Sequence, residues 1–185
     1  TTVLSDAFSG TVLTNVYVEN AKQTYFTGSS GWPASAVFKG WGRIAADIGV
    51  SGEILIPNTV TSIDIDAFYD ASNLTTVSFE DISNSVLRKI DYGAFFGATA
   101  LTSITIPKSV TEIYDTAFGQ TTNLTEVIFD DISNSQLTHI YGAIGGGYND
   151  YGDNVWFTGA FFQSGLTSII IPASVQTIGR NTGLN

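Results

Sequence analysis

One phrase occurs three times in this chain, and that repetition constrains the fold more than any other feature. IPNTVTSIDIDAF runs from Ile56 to Phe68, LTSITIPKSVTEIYDTAF from Leu101 to Phe118, and LTSIIIPASVQTIG from Leu166 to Gly179. The Ile56-Pro57, Ile106-Pro107 and Ile171-Pro172 pairs are fifty and sixty-five residues apart. Between them lies a second phrase, LTTVSFEDISNSVLRKI from Leu74 to Ile90 and LTEVIFDDISNSQLTHI from Leu124 to Ile140. Two related repeats of 23 and about 27 residues therefore alternate. A unit of this size cannot bury its own apolar face. Stacked units can, each adding a strand to a parallel sheet at ~4.8 Å spacing.

Each repeat position has a physical reading. Ile104 and Ile106 alternate with Thr105, as a half-buried strand requires. Their β-branched side chains suit a pleated surface. Pro107 lacks the N–H that would continue a ladder, so the strand ends there. Val110 and Ile113 return to the interior as a second short extended segment. Ala117-Phe118 sets a small residue beside a large one, which suits a helical or 3-10 corner plugging the core.

The pattern L-x-x-I-x-I-P-x-x-V-T-x-I-x-x-x-A-F, alternating with F-E-D-x-S-x-S-x-L-x-x-I, resembles the BspA-like leucine-rich repeat family of bacterial and protist surface proteins. The resemblance spans roughly Ser51 to Gly179, and LTNVYV at Leu13 to Val18 joins it. It implies a leucine-rich repeat solenoid, mainly β with a parallel sheet and short helical or 3-10 corners. The Cys usual in the family after the Ala-Phe corner is absent; Ala71, Thr99 and Thr121 lie near that place. The resemblance also implies a non-enzymatic, extracellular or cell-surface module that binds a protein or matrix ligand, or mediates adhesion.

Departures from the repeat divide the chain. Residues 1–49 hold a half-repeat and an aromatic-rich block with Tyr25, Phe26, Trp32, Phe38 and Trp41, read as a cap or spacer. A third reading makes these aromatics a carbohydrate platform. Residues 50–185 hold the repeats, with a loop inserted near 145–156. In that insert Asp150 and Asp153, with Asn149 and Asn154, are weak candidate oxygen ligands for calcium. The plainer reading is a surface loop whose Gly and Asn set turns. No other cofactor is expected. The chain opens on Thr1-Thr2, as expected of an excised or processed segment, and both ends are half-repeats. Copies stacked end to end would complete each other's broken repeat, which makes Val3, Phe8 and Ile178 candidate assembly residues. A structural subunit of a filament or surface layer is thus the alternative function.

Charge and composition remove other classes. Seven Lys and Arg against seventeen Asp and Glu leave a net charge of −10. A nucleic-acid groove needs clustered cations, and the one adjacent basic pair is Arg88-Lys89. Acidity also disfavours anionic membranes, and no apolar run approaches the ~20 residues of a membrane span. There is no Cys, hence neither disulfide nor thiolate chemistry. The single histidine, His139, sits in the repeat slot of Lys89 and is read as a surface residue rather than a catalytic base. The acid pairs Glu80-Asp81 and Asp130-Asp131 occupy equivalent positions before a turn, so a turn role is favoured. Asn73-Leu74-Thr75 and Asn123-Leu124-Thr125 match a glycosylation sequon, but repeat grammar accounts for both.

Binding is then expected on the outward strand residues, which stand in rows. One row is Tyr17, Leu55, Ser78, Thr105, Ile128 and Ile170. Its neighbour is Asn15, Glu53, Thr76, Ser103, Glu126 and Ser168. Three aliphatics and a tyrosine on an outward row suit a protein-binding face, unless a flanking segment covers them.

Overall fold

The computed structural model describes residues 51–142 apart from 57 and 59, residues 159–180, and the backbone of four short strands outside those ranges. Those four are β1 (Thr2–Leu4) and β2 (Tyr25–Thr27), which pair in parallel, and two strands of the insert treated below. Elsewhere long and very short strands alternate along the chain. The longer ones are β3 (Ser51–Ile56), β5 (Asn73–Phe79), β7 (Ser103–Ile106) and β9 (Glu126–Phe129). Between them lie β4 (Ser62–Ile63), β6 (Lys89–Ile90), β8 (Glu112–Ile113) and β10 (His139–Ile140), and β13 (Thr177–Ile178) ends the series.

All of these pair in parallel with the equivalent strand of the neighbouring turn. The short strands form one five-stranded sheet in the order β13-β10-β8-β6-β4, and the longer ones pair as β3-β5 and β7-β9. The chain is therefore a coil with two sheet faces, as the repeats predict. The segment 166–172 differs, because the pattern LTSIII predicts a strand there and no ladder is formed.

The core is a stack of similar layers. Ile54, Ile56, Ile104 and Ile106 enter it from the longer strands, and Ile63, Ile90, Ile113 and Ile140 from the short ones; all are buried. Each such side chain contributes ~1.5–3 kcal/mol through the water it sheds. Phe68, Phe95, Phe118 and Phe161 run through the middle as one ladder of rings.

The Ala-Phe corner is not helical. Its amides alternate between two kinds of partner. Ala67, Tyr69 and Ala71 donate within their own turn, to the carbonyls of Asp64, Asp66 and Phe68. Asp66, Phe68 and Asp70 donate across to Tyr92, Ala94 and Phe96 of the next turn. A helix would turn every N–H back into its own segment, leaving nothing to hold adjacent turns. The alternation requires a left-handed backbone twice per corner, at Asp66 and Asp70, Gly93 and Gly97, and Thr116 and Gln120. The 3-10 turns lie instead at Ile82–Asn84 and Ile132–Asn134, inside the FEDISNS and FDDISNS phrases. The position after the corner is filled by Ala71, Ala98 and Thr121, all buried. Ala98, not Thr99, is thus the residue nearest the family's Cys, and Thr121 satisfies its hydroxyl on the Phe118 carbonyl at 2.7 Å.

The insert contains β11 (Gly146–Tyr148) and β12 (Asn154–Trp156), which pair antiparallel. It is a hairpin rather than a plain loop. Val155 and Trp156 favour strand, and the Asn-Asp-Tyr-Gly-Asp run between the arms favours a turn.

Candidate binding face

The outward rows of the longer strands exist as register pairs. Leu55 stands opposite Ser78 and Glu53 opposite Thr76. Thr105 stands opposite Ile128 and Ser103 opposite Glu126. These positions project outward because Ile54, Ile56, Ile104 and Ile106 between them are buried, and a strand alternates its side chains. Polar neighbours tie the first pair of strands together. The Ser78 hydroxyl lies 2.9 Å from Glu53 Oε1 and 3.1 Å from the Ile54 carbonyl. Such cross-strand contacts stiffen the face without closing it.

Exposure rises along the row. Leu55, Ser78 and Thr105 are half-buried, Ile128 is 44% exposed and Ile170 is 77% exposed. Ile170 projects although its segment forms no ladder, because Ile169 and Ile171 on either side pack against the core. Ser168 in the second row is exposed as well. Tyr17 and Asn15 lie outside the described residues, as do Phe8, Asp150 and Asp153. Val3 lies in β1. Ile178 lies in β13, at one edge of the five-stranded sheet, and is 48% exposed.

The remaining sequence candidates resolve into structural roles. The Asp81 carboxylate accepts from the Asn84 amide and side chain at 3.3 and 2.8 Å. Asp131 accepts from the Asn134 side chain at 2.9 and 3.0 Å and faces Lys108 at 3.5 Å. The Asn84 and Asn134 hydrogen bonds hold both carboxyls below the usual carboxylate range. Ser85 and Ser135 then accept from the amides of Leu87 and Leu137 at 3.3 Å. The repeated D-I-S-N-S-x-L is a turn device. Among the described residues no group of three or more His, Asp or Glu could hold a metal ion, and no helix is long and apolar enough to cross a membrane.

The opposite face, built by the short strands, carries a cluster that sequence reasoning does not find. Lys89, Glu112, His139 and Thr177 stand in register on β6, β8, β10 and β13. Beside them the Tyr92, Tyr114 and Tyr141 rings follow one another at 5.0 and 4.6 Å. The hydroxyls of Tyr114 and Tyr141 donate to the two oxygens of Glu112 at 3.2 and 3.3 Å. His139 stacks on Tyr141 at 5.4 Å and its Nδ1 lies 2.8 Å from the Thr138 hydroxyl. Burial, aided by the charge of Asp115 at Tyr92 and of Glu112 at Tyr114, raises both phenols above their usual range.

Residues 51–143 match the family described as BspA type leucine rich repeat region, in six copies. A crystal structure of a leucine rich cell surface protein from Faecalibacterium prausnitzii is similar at 24% identity, with a TM-score of 0.47. That likeness covers 82% of this chain and 43% of the other, so the chain spans less than half of that protein's length. No curated protein matches the chain.

Proposed function

Because the chain belongs to the family of BspA type leucine-rich repeat regions, we propose that it is a non-enzymatic, extracellular protein-binding or adhesion module of a cell-surface protein. The observation that carries this reading is the pair of outward register matches, Leu55 with Ser78 and Thr105 with Ile128, together with the exposure of Ile128 and of Ile170 in the following turn. Exposed isoleucines lose water when a partner covers them, at a gain of ~25 cal/mol per Å² of apolar surface. Polar Glu53 and Glu126 beside them set orientation. Surface plasmon resonance over a panel of immobilised extracellular-matrix proteins tests the reading. A saturable response to one or more of them is expected. A flat response to all of them contradicts it.

A second reading rests on the last turn. Leu166, Ile169, Ile171 and Val175 belong to the core pattern but are only half-buried, and Ile178 is exposed on an edge strand. That arrangement suits end-to-end stacking of copies into a filament or surface layer. Light scattering over a concentration series separates the two, since stacking makes molar mass climb with concentration. Repeating the series with calcium tests whether Asp150 and Asp153 take an ion, which would make mass or stability calcium-dependent.

A further inference from the structure

We propose that the tyrosine face of the short-strand sheet is a receptor for basic side chains of a partner protein, and that Lys89 is its built-in occupant. This surface is separate from the isoleucine row and independent of it. The Lys89 ammonium lies 3.6 Å from Glu112 Oε2 and 5.5 Å from the centre of the Tyr114 ring. An aromatic ring beside a carboxylate is what an ammonium or guanidinium seeks, since ring quadrupole and charge attract it together. The tether is weak. The Lys89 side chain is nearly half exposed, and a pair so exposed contributes little after solvent screening.

A second observation is an under-compensated carboxylate buried behind this face. Asp115 follows Ile113 at the position that Tyr92 holds after Ile90, one turn away, and its carbonyl accepts from Gly93 N–H at 3.3 Å. It is only 6% exposed, yet its Oδ1 has no hydrogen-bond partner. A buried carboxylate oxygen without a donor is costly. The buried oxygen is out of a ligand's reach, but a cation held at the outer rings offsets part of that cost through space. At Glu112 a planar guanidinium can stack on the Tyr114 ring as well as pair with the carboxylate, which the flexible Lys89 amine does less well. The chain's net charge of −10 steers such a partner inward. Asp91, whose Oδ1 accepts from the Tyr92 amide at 2.8 Å, adds to the same field.

Fluorescence anisotropy with a labelled octa-arginine peptide tests this at about 50 mM salt, where screening is modest. The wild-type chain binds. Lys89→Met removes the competitor and tightens binding by about fivefold, while Lys108→Met, the same change of charge beside Asp131, leaves it within about twofold. Glu112→Gln and Asp115→Asn each weaken binding by about fivefold, while Asp130→Asn, just after the end of β9, does not. Circular dichroism melts confirm that each variant is folded. The proposal is overturned if wild type does not bind. It is also overturned if the two lysine variants behave alike, or if Asp130→Asn weakens binding as much as Glu112→Gln. Either result would mean that net charge alone attracts the peptide.

Discussion

The Phe118 ring lies 5.3 Å from that of Phe95 and 5.4 Å from that of Phe161, with planes within 6° of both. Its contact with Phe161 links residues forty-three apart in sequence, since the insert separates the two. Phe118→Ala is expected to cost ~3–5 kcal/mol, the range for truncating a buried aromatic. Urea unfolding followed by circular dichroism measures the loss. A cost under about 1 kcal/mol would mean that the ladder does not join these turns.

The corner also predicts an asymmetry between two backbone positions of the same kind. Gly93 and Thr116 both have positive φ, at 58° and 55°. At Gly93 an added Cβ would collide with Asp66 Oδ1, which uses the missing side chain's place. Gly93→Ala should destabilise by at least ~1 kcal/mol, and Asp66→Gly in the same chain should recover part of it. Thr116→Asn should be neutral or stabilising by up to ~1 kcal/mol, because Asn tolerates the left-handed region that a β-branched residue resists. Thermal melts of the set give the comparison.

Asp115 makes a pH-dependent prediction. Burial raises its carboxyl above the usual range. The folded state then holds the proton more tightly than the unfolded one, so this group's contribution falls as pH rises from the unfolded value through the folded one. At neutral pH its charge is a cost. Asp115→Asn should therefore raise the melting midpoint at pH 7 by a few degrees, about what 1 kcal/mol gives a domain of this size. The gain should shrink at acid pH, where the wild-type carboxyl is already protonated. A variant less stable at pH 7 would show instead that the charge is compensated.

The longer strands and their rows were legible because Ile104-Thr105-Ile106 displays period two over enough residues to be seen. The short strands were legible only as one short extended segment around Val110 and Ile113, without their outward residues. Lys89–Ile90 and His139–Ile140 are two residues long, which leaves no period to read. The tyrosine cluster was hidden for a related reason. Tyr92 stands one residue beyond the register mate of Tyr114, so no repeat alignment puts the two rings in one column. The corner misled in another way. Ala117-Phe118 has helix-compatible composition, but hydrogen bonds to the next turn, such as Phe118 N–H to the Ala160 carbonyl at 2.7 Å, overrode local preference. Non-glycine residues at Asp66, Thr116 and Gln120 gave no warning of a left-handed backbone.

The most direct test of the proposed binding face is to replace Ile128 and Ile170 together by Lys and repeat the matrix-protein binding measurement. Both side chains are exposed, so the melting midpoint should move little, within the ~0.5 kcal/mol usual for surface changes. Binding should be lost, because two desolvated ammonium groups would replace apolar contact. A double variant that melts with the wild type and still binds with unchanged affinity would contradict the assignment of this row as the working surface.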